Sequence, residues 1–239
     1  MKLITRTESY SCNDTDFDLY VVAPQKQDSK LPAIFVAHAW DGLNTPIKES
    51  ANRVAELGYV AVAVDVYGKG VRGDPLGDNS HLMNPLMDDR ALLRNRLMAG
   101  YSKIKKIDIV DKARIGAIGY CFGGLCVLDL ARLVPDSLKG VVSFHGALTK
   151  SDFTETEPIE AKVLIEHGWD DSVVPVDDYL AFTKEMDRRK ADWQAHIHGR
   201  AMHAFTFEGA NMPENGIQHN EAAAHRSWRL MVDFFDEVL

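Results

Sequence analysis

Three residue types that can share one reaction occur along this chain in a fixed order: a cysteine in a glycine-rich turn, a pair of aspartates, and a histidine. The cysteine is Cys121, within Gly119-Tyr120-Cys121-Phe122-Gly123-Gly124. Ala113-Arg114-Ile115 before it reads as the start of a short buried strand, and the apolar, glycine-free run Cys126–Ala131 after it reads as a helix. A strand that turns into a helix through Gly-x-Cys-x-Gly-Gly has the form of a nucleophile elbow, with cysteine in place of the commoner serine. The glycines remove side chains that would collide in so tight a turn. A helix N-terminus also favours a thiolate. The opposing reading is a buried structural cysteine, a frequent fate of free thiols. Glycines on both sides and the strand-to-helix position favour the nucleophile.

A cysteine nucleophile needs a base, and the base needs an orienting acid. His167-Gly168-Trp169-Asp170-Asp171-Ser172-Val173-Val174-Pro175 leaves a strand and enters a helix, so either aspartate can orient a histidine while the other caps the helix. His203 follows the last expected strand. Nucleophile, acid, then histidine is the chain order of α/β-hydrolases. The acid would fix the imidazole tautomer and stabilise its charge. An oxyanion hole requires two N–H donors. Phe122 follows the nucleophile, and fold logic assigns the second donor to Trp40 in the loop His38–Asn44.

The elements that must hold these residues alternate strand and helix. Residues 2–9 and 16–23 read as two strands around a polar turn, the second half-exposed at an edge. Pro32–Ala37 and Tyr59–Val64 are continuous apolar runs, as strands covered on both faces would be. Between them Thr45-Pro46 reads as an N-cap and first helical residue, with Gly58 closing the helix. A glycine-rich loop over 68–79 and one amphipathic helix over about 86–106 lead to the elbow. Further strands are expected at 140–144, 161–166 and 193–198, and helices at 175–190 and about 220–239. In the latter Trp228, Met231, Phe235 and Val238 share a face. The pattern predicts one α/β domain over residues 1–239, with a mostly parallel central sheet and helices on both faces. Ligands bind such sheets at the carboxyl ends of the strands, where every candidate lies.

Composition narrows the function. With 27 basic and 35 acidic residues among 239, and no basic block, nucleic acid and anionic membranes are poor partners. The three cysteines, Cys12, Cys121 and Cys126, lack zinc or disulfide spacing, so no metal is expected. No apolar run approaches membrane-spanning length and the N-terminus lacks a signal-peptide core, which makes a cytoplasmic protein the expectation.

With these residues placed, the chain resembles the dienelactone hydrolase family from roughly residue 20 to the C-terminus. Gly119–Gly124 is similar to that family's Gly-Tyr-Cys-x-Gly-Gly elbow, His38–Asn44 to its His-Glu-x-x-Gly-Leu-Asn loop, and Asp65-Val66-Tyr67-Gly68 to a strand end. Gly168-x-x-Asp171-x-x-Val174-Pro175 resembles its acid loop, which selects Asp171 over Asp170, and Met202–Thr206 its histidine loop. The resemblance implies an α/β-hydrolase fold and cleavage of a small ester or lactone through a cysteinyl thioester, without a cofactor, in a monomer or homodimer. Two positions depart from the pattern. The glutamate that follows the loop histidine is Ala39 here. An arginine that binds the substrate carboxylate, four residues after the catalytic histidine, is Phe207. Tyr67 and His145, at strand ends, are candidate pocket residues. Arg90 and Arg94 share a helix face and can reach a carboxylate, or pair with Asp88 and Asp89 on a solvated face. A non-catalytic binding descendant of the fold and a redox-responsive thiol protein are the competing readings.

Overall fold

Runs of small and β-branched apolar residues become the buried strands. In β4 (Val60–Val64) every residue is buried, and Val60, Val62 and Val64 each contribute roughly 1.5–3 kcal/mol by leaving water. β3 (Leu31–Ala37) is likewise buried from Ala33 onward. The computed structural model describes residues 1–133, 137–149 and 157–239, and the chain divides into two compact units, Met1–Ala117 and Ile118–Leu239.

The first unit opens with the long hairpin β1 (Leu3–Cys12) and β2 (Thr15–Pro24). Its strands lie in the order β1-β2-β4-β3, with β1/β2 and β2/β4 antiparallel and β3/β4 parallel. The exposed edge is β1. β2, expected half-exposed, pairs on both sides and buries Phe17, Leu19 and Val21. Helix α1 (Thr45–Glu56) connects β3 to β4 and turns Ile47, Ala51, Val54 and Ala55 inward. Its cap is Asn44, whose side chain accepts the Ile47 N–H, so Thr45 is already the first helical residue. The single helix expected over 86–106 is two, α2 (Ser80–Asp88) and α3 (Arg90–Ile104). Asp89 makes the break, because its carboxylate accepts the Leu92 N–H at 2.9 Å and starts a new helix. Arg94 is buried on α3, which corrects the solvated-face reading for that residue, and Arg90 is half-buried.

Strand β5 (Val110–Tyr120) carries the chain into the second unit. There α4 (Phe122–Arg132), β6 (Leu138–Phe144), β7 (Lys162–Gly168), α5 (Val176–Arg188) and β8 (Trp193–His198) follow in turn. The order β6-β7-β8 is parallel throughout, and the crossover from β7 to β8 carries α5. A small hairpin, β9 (Asn211–Met212) and β10 (Ile217–Gln218), precedes the last helix, α6 (Glu221–Val238). α6 buries Ala223, Ser227, Met231, Phe234 and Phe235. Of the residues expected to share a face, Trp228 and Val238 are half-exposed, while Phe234 is buried with Met231 and Phe235. Gly140 of β6 makes room for it, since a Cβ there would lie 2.7 Å from the Phe234 ring. Among the described residues no helix is long and apolar enough to cross a membrane.

Candidate active site

In the first unit the strand-end loops are braced from below. The Asp65 carboxylate accepts the N–H groups of Tyr67 and Gly68 at 2.9 and 3.2 Å and pairs with Arg72 at 3.3 Å. The Tyr67 hydroxyl donates to the Trp40 carbonyl at 2.9 Å, so Tyr67 fixes the loop that carries Ala39 and Trp40. His38 accepts the Val66 N–H on Nε2 at 3.2 Å, which leaves the proton on Nδ1, 2.6 Å from the Ala39 carbonyl. Burial pushes the His38 pKa down, in keeping with this neutral tautomer. Asp41 is nearly buried and its pKa is raised by that burial.

The second unit holds Cys121, Phe122, His145, Asp171, His203 and Phe207. β5 ends at Tyr120 and α4 begins at Phe122, so Cys121 alone makes the turn. Its φ of 54° and ψ of −116° lie where side chains are disfavoured, at a cost of about 1–3 kcal/mol that the surroundings must hold in place. They do so with backbone bonds: the Cys121 N–H donates to the Phe144 carbonyl at 3.1 Å and its carbonyl accepts the Gly124 N–H at 2.9 Å. The glycines are required by contact as well. A Cβ on Gly119 would lie 1.9 Å from the Gly123 carbonyl oxygen, and one on Gly124 would lie 2.6 Å from the Gly146 Cα.

The acid loop and the histidine loop are laced together. The N–H groups of Trp169 and Asp170 donate to the carbonyls of His198 and Ala201, each at 2.9 Å. Asp171 is buried and serves two purposes. One carboxylate oxygen caps the loop by accepting the Val173 and Val174 N–H groups at 2.9 and 3.0 Å, and the other lies 2.9 Å from Nδ1 of His203. The sequence leads one to expect a division of labour, with one aspartate capping and the other orienting. Asp171 does both, and Asp170 is exposed.

The carboxylate places a proton on Nδ1 of His203. Nε2 is buried and makes no aligned hydrogen bond among the described residues. Burial by itself pushes the His203 pKa down. The neighbouring Cys121 charge and the Asp171 carboxylate outweigh it and hold the ring up at about 10. His145 packs against this ring, the centroids 5.3 Å apart and nearly edge-on, and its Nε2 is 2.7 Å from the Thr206 hydroxyl. Burial and the His203 charge hold His145 well below its usual pKa, so one histidine is charged and its neighbour neutral. His167 is shifted down chiefly by burial. Phe207 is half-buried two residues beyond Phe205.

The model of the dienelactone hydrolase family matches residues 17–239. The chain belongs to that family. It is an ester or lactone hydrolase with a mostly parallel central sheet and flanking helices, the α/β-hydrolase fold. An uncharacterized protein of Caenorhabditis elegans is 37% identical to it over 153 residues, 63% of this chain and 97% of the relative. The crystal structure of a dienelactone hydrolase-like promiscuous phosphotriesterase from metagenomic libraries superposes with a TM-score of 0.94 at 32% identity, covering 100% of this chain and 99% of that one. An esterase of Thermogutta terrifontis, 18% identical, shares the fold with a TM-score of 0.67 over 98% and 94% of the two chains.

The charged histidine gives this hydrolase a signature in its stability. His203 is raised from 6.5 to about 10 in the fold. Its contribution to stability is therefore fully present below about pH 6.5 and is lost as pH rises through about 10. The expected Tm falls by on the order of 5 °C between pH 7 and pH 10. The decline is shallower in Cys121→Ala, which lacks the strongest raising partner, and differential scanning fluorimetry across that range checks it.

Sequence reasoning missed the β9–β10 hairpin and the residues it touches, Ser172 and Gly216. The Asn215-Gly216 dipeptide, a turn signal, was the available sign. It also missed Thr206, whose role depends on a contact with His145 from 61 positions away.

Proposed function

We propose that this protein hydrolyses small, uncharged carboxylic esters or lactones through a cysteinyl acyl-enzyme, with Cys121 as nucleophile, His203 as its base and Asp171 as the residue that orients the base. The observation that carries this reading is the 2.9 Å contact between Asp171 and Nδ1 of a buried His203 whose charge is sustained by Cys121. The Cys121 thiolate attacks the carbonyl carbon, and the carbonyl π electrons move onto oxygen. The Phe122 N–H receives that oxyanion, and Trp40 is carried forward from the sequence as the second donor. When the tetrahedral intermediate collapses, the carbon–oxygen bond to the alcohol breaks and the His203 imidazolium gives the departing alkoxide its proton. The neutral imidazole then takes a proton from water, and the resulting hydroxide adds to the thioester. Collapse expels the Cys121 thiolate beside a recharged His203 and releases the carboxylic acid. In a lactone the alcohol and acid leave as one molecule. Phe207, standing where relatives that act on dienelactone place an arginine, favours a substrate without a carboxylate.

The experiment is intact-protein mass spectrometry of enzyme quenched during turnover of 4-nitrophenyl acetate, with peptide mapping. An acetyl adduct on Cys121 is the expected result. Turnover with no adduct at Cys121 would remove the covalent route. A dialkyl aryl phosphate forms a second arm, because the metagenomic relative at 32% identity is described as a promiscuous phosphotriesterase. In that arm a dialkylphosphoryl adduct on Cys121 is expected. A thiol that alkylates readily while no ester, lactone or phosphotriester turns over would favour the binding or redox readings.

A further inference from the structure

We infer that the Asn211–Gln218 hairpin is a positioning element that sets the distance between base and acid, and that Gly216 is the residue through which it acts. This rests on the Cys121–His203–Asp171 reading and adds to it an element that does not touch the substrate.

Asp171 and His203 lie on separate loops, and loops are the most variable parts of a fold. The hairpin ties them together. The His203 N–H donates to the Gly216 carbonyl at 2.8 Å, and the His203 carbonyl accepts the Gln218 N–H at 3.1 Å. His203 is thereby bridged to Ile217 like a residue of a third strand. Both of its backbone polar groups are held, so its Cα–Cβ direction is held with them. Gly216 also presses on the acid loop. A Cβ on Gly216 would lie 2.0 Å from the Ser172 hydroxyl oxygen and 3.2 Å from the Ser172 Cβ, and Ser172 directly follows Asp171. The glycine has a φ of 71°, the left-handed region, which permits this approach without a side chain. One residue thus bonds to the backbone of the base and abuts the neighbour of the acid. The hairpin is itself closed by the pairs Met212–Ile217 and Asn211–Gln218, by the Gly216 N–H to the Pro213 carbonyl at 3.0 Å, and by the His219 N–H to the Ala210 carbonyl at 2.9 Å.

Steady-state kinetics on a 4-nitrophenyl ester, with pH–rate profiles and Tm, test this on Gly216→Ala, Ser172→Gly and the double variant. The methyl group of Gly216→Ala must displace the exposed Ser172 hydroxyl and then still presses on the Ser172 Cβ at 3.2 Å, so the acid and histidine loops are expected to part. A displacement near 1 Å is worth about 10²-fold in rate, so kcat is expected to fall about 30- to 100-fold while KM stays within about twofold. The limb of the profile that reports His203 moves down toward 6.5 as its bond to Asp171 loosens. Removing the Ser172 side chain opens the space, so the double variant returns to within about threefold of Ser172→Gly alone. Gly58→Ala is the reference for backbone strain alone, since Gly58 has a φ of 102° and open space around it. That variant loses Tm without losing kcat. Gln218→Pro, which deletes the N–H bonded to His203, is the second probe, and the same kcat-only loss is expected. Full kcat in both Gly216→Ala and Gln218→Pro, or a double variant no faster than Gly216→Ala, overturns the inference. If Cys121→Ala is inactive while both hairpin variants run at the native rate, the hairpin inference falls alone. If Cys121→Ala is active, the triad reading falls first.

Discussion

Cys121→Ala is expected to lose at least about 10⁴-fold in kcat against 4-nitrophenyl esters, the scale seen when a nucleophile that acts as part of a unit is removed. Alanine keeps the left-handed backbone of the elbow, and the Cys121 N–H and carbonyl bonds to Phe144 and Gly124 involve no side chain. The backbone of the turn should therefore change little, and the loss of rate can be read as loss of chemistry. Cys121→Ser tests a finer point. A serine hydroxyl surrenders its proton far less readily than a thiol does. Serine should therefore restore only a small part of the lost rate, and solvent isotope effects should be larger with serine than with cysteine. Hydrolysis by Cys121→Ala at the wild-type rate would refute the assignment.

Asp171→Asn is expected to lower kcat by about 10⁴-fold, as the corresponding change does in the serine system where a wrong-tautomer histidine results. The structure makes this substitution unusually clean. The carbonyl oxygen of the introduced asparagine can still accept the Val173 and Val174 N–H groups, so the loop keeps its cap. Its amide NH₂ then faces Nδ1 of His203 and forces the proton onto Nε2, the nitrogen that must accept from the thiol. Asp170→Asn, at an exposed site, should change kcat by less than about twofold. Rates for the two variants on one substrate decide the register. A large loss at residue 170 with none at 171 would mean that the acid was misidentified.

Much of the turn at Cys121 was legible because its demands are steric and local. A Cβ at Gly119 or Gly124 meets backbone, so only glycine fits there, and the spacing around Cys121 records the turn directly. Which aspartate meets His203 was less legible. Asp170 and Asp171 are adjacent and chemically equal, and only the direction of the chain after Gly168 separates an exposed carboxylate from a buried one. Which strand forms the edge was misread because β1 and β2 both mix polar and apolar residues, and the partner that buries β2 is β4, far along the chain. The break at Asp89 was misread for the opposite reason. A single local cap bond interrupts a pattern that is otherwise helical on both sides. The hairpin at 211–218 was missed for a third reason: Asn215-Gly216 marks only its turn, and it acts through peptide groups and an absent side chain, which leave little further trace in the composition.

The placement of the reactive residues along the chain has a consequence for synthesis. Cys121, Asp171 and His203 all fall in the second unit, and the strand that fixes His203 ends only at Gln218. Chains emerge and fold from the N-terminus. The thiol therefore leaves the ribosome long before the histidine and aspartate proposed to act with it. Until the last hairpin is made, Cys121 has neither His203 nor Asp171 held in place near it. A nascent or prematurely terminated chain that stops short of residue 203 carries the cysteine but not the base. On the proposed mechanism such fragments lack the proton acceptor that ester cleavage requires.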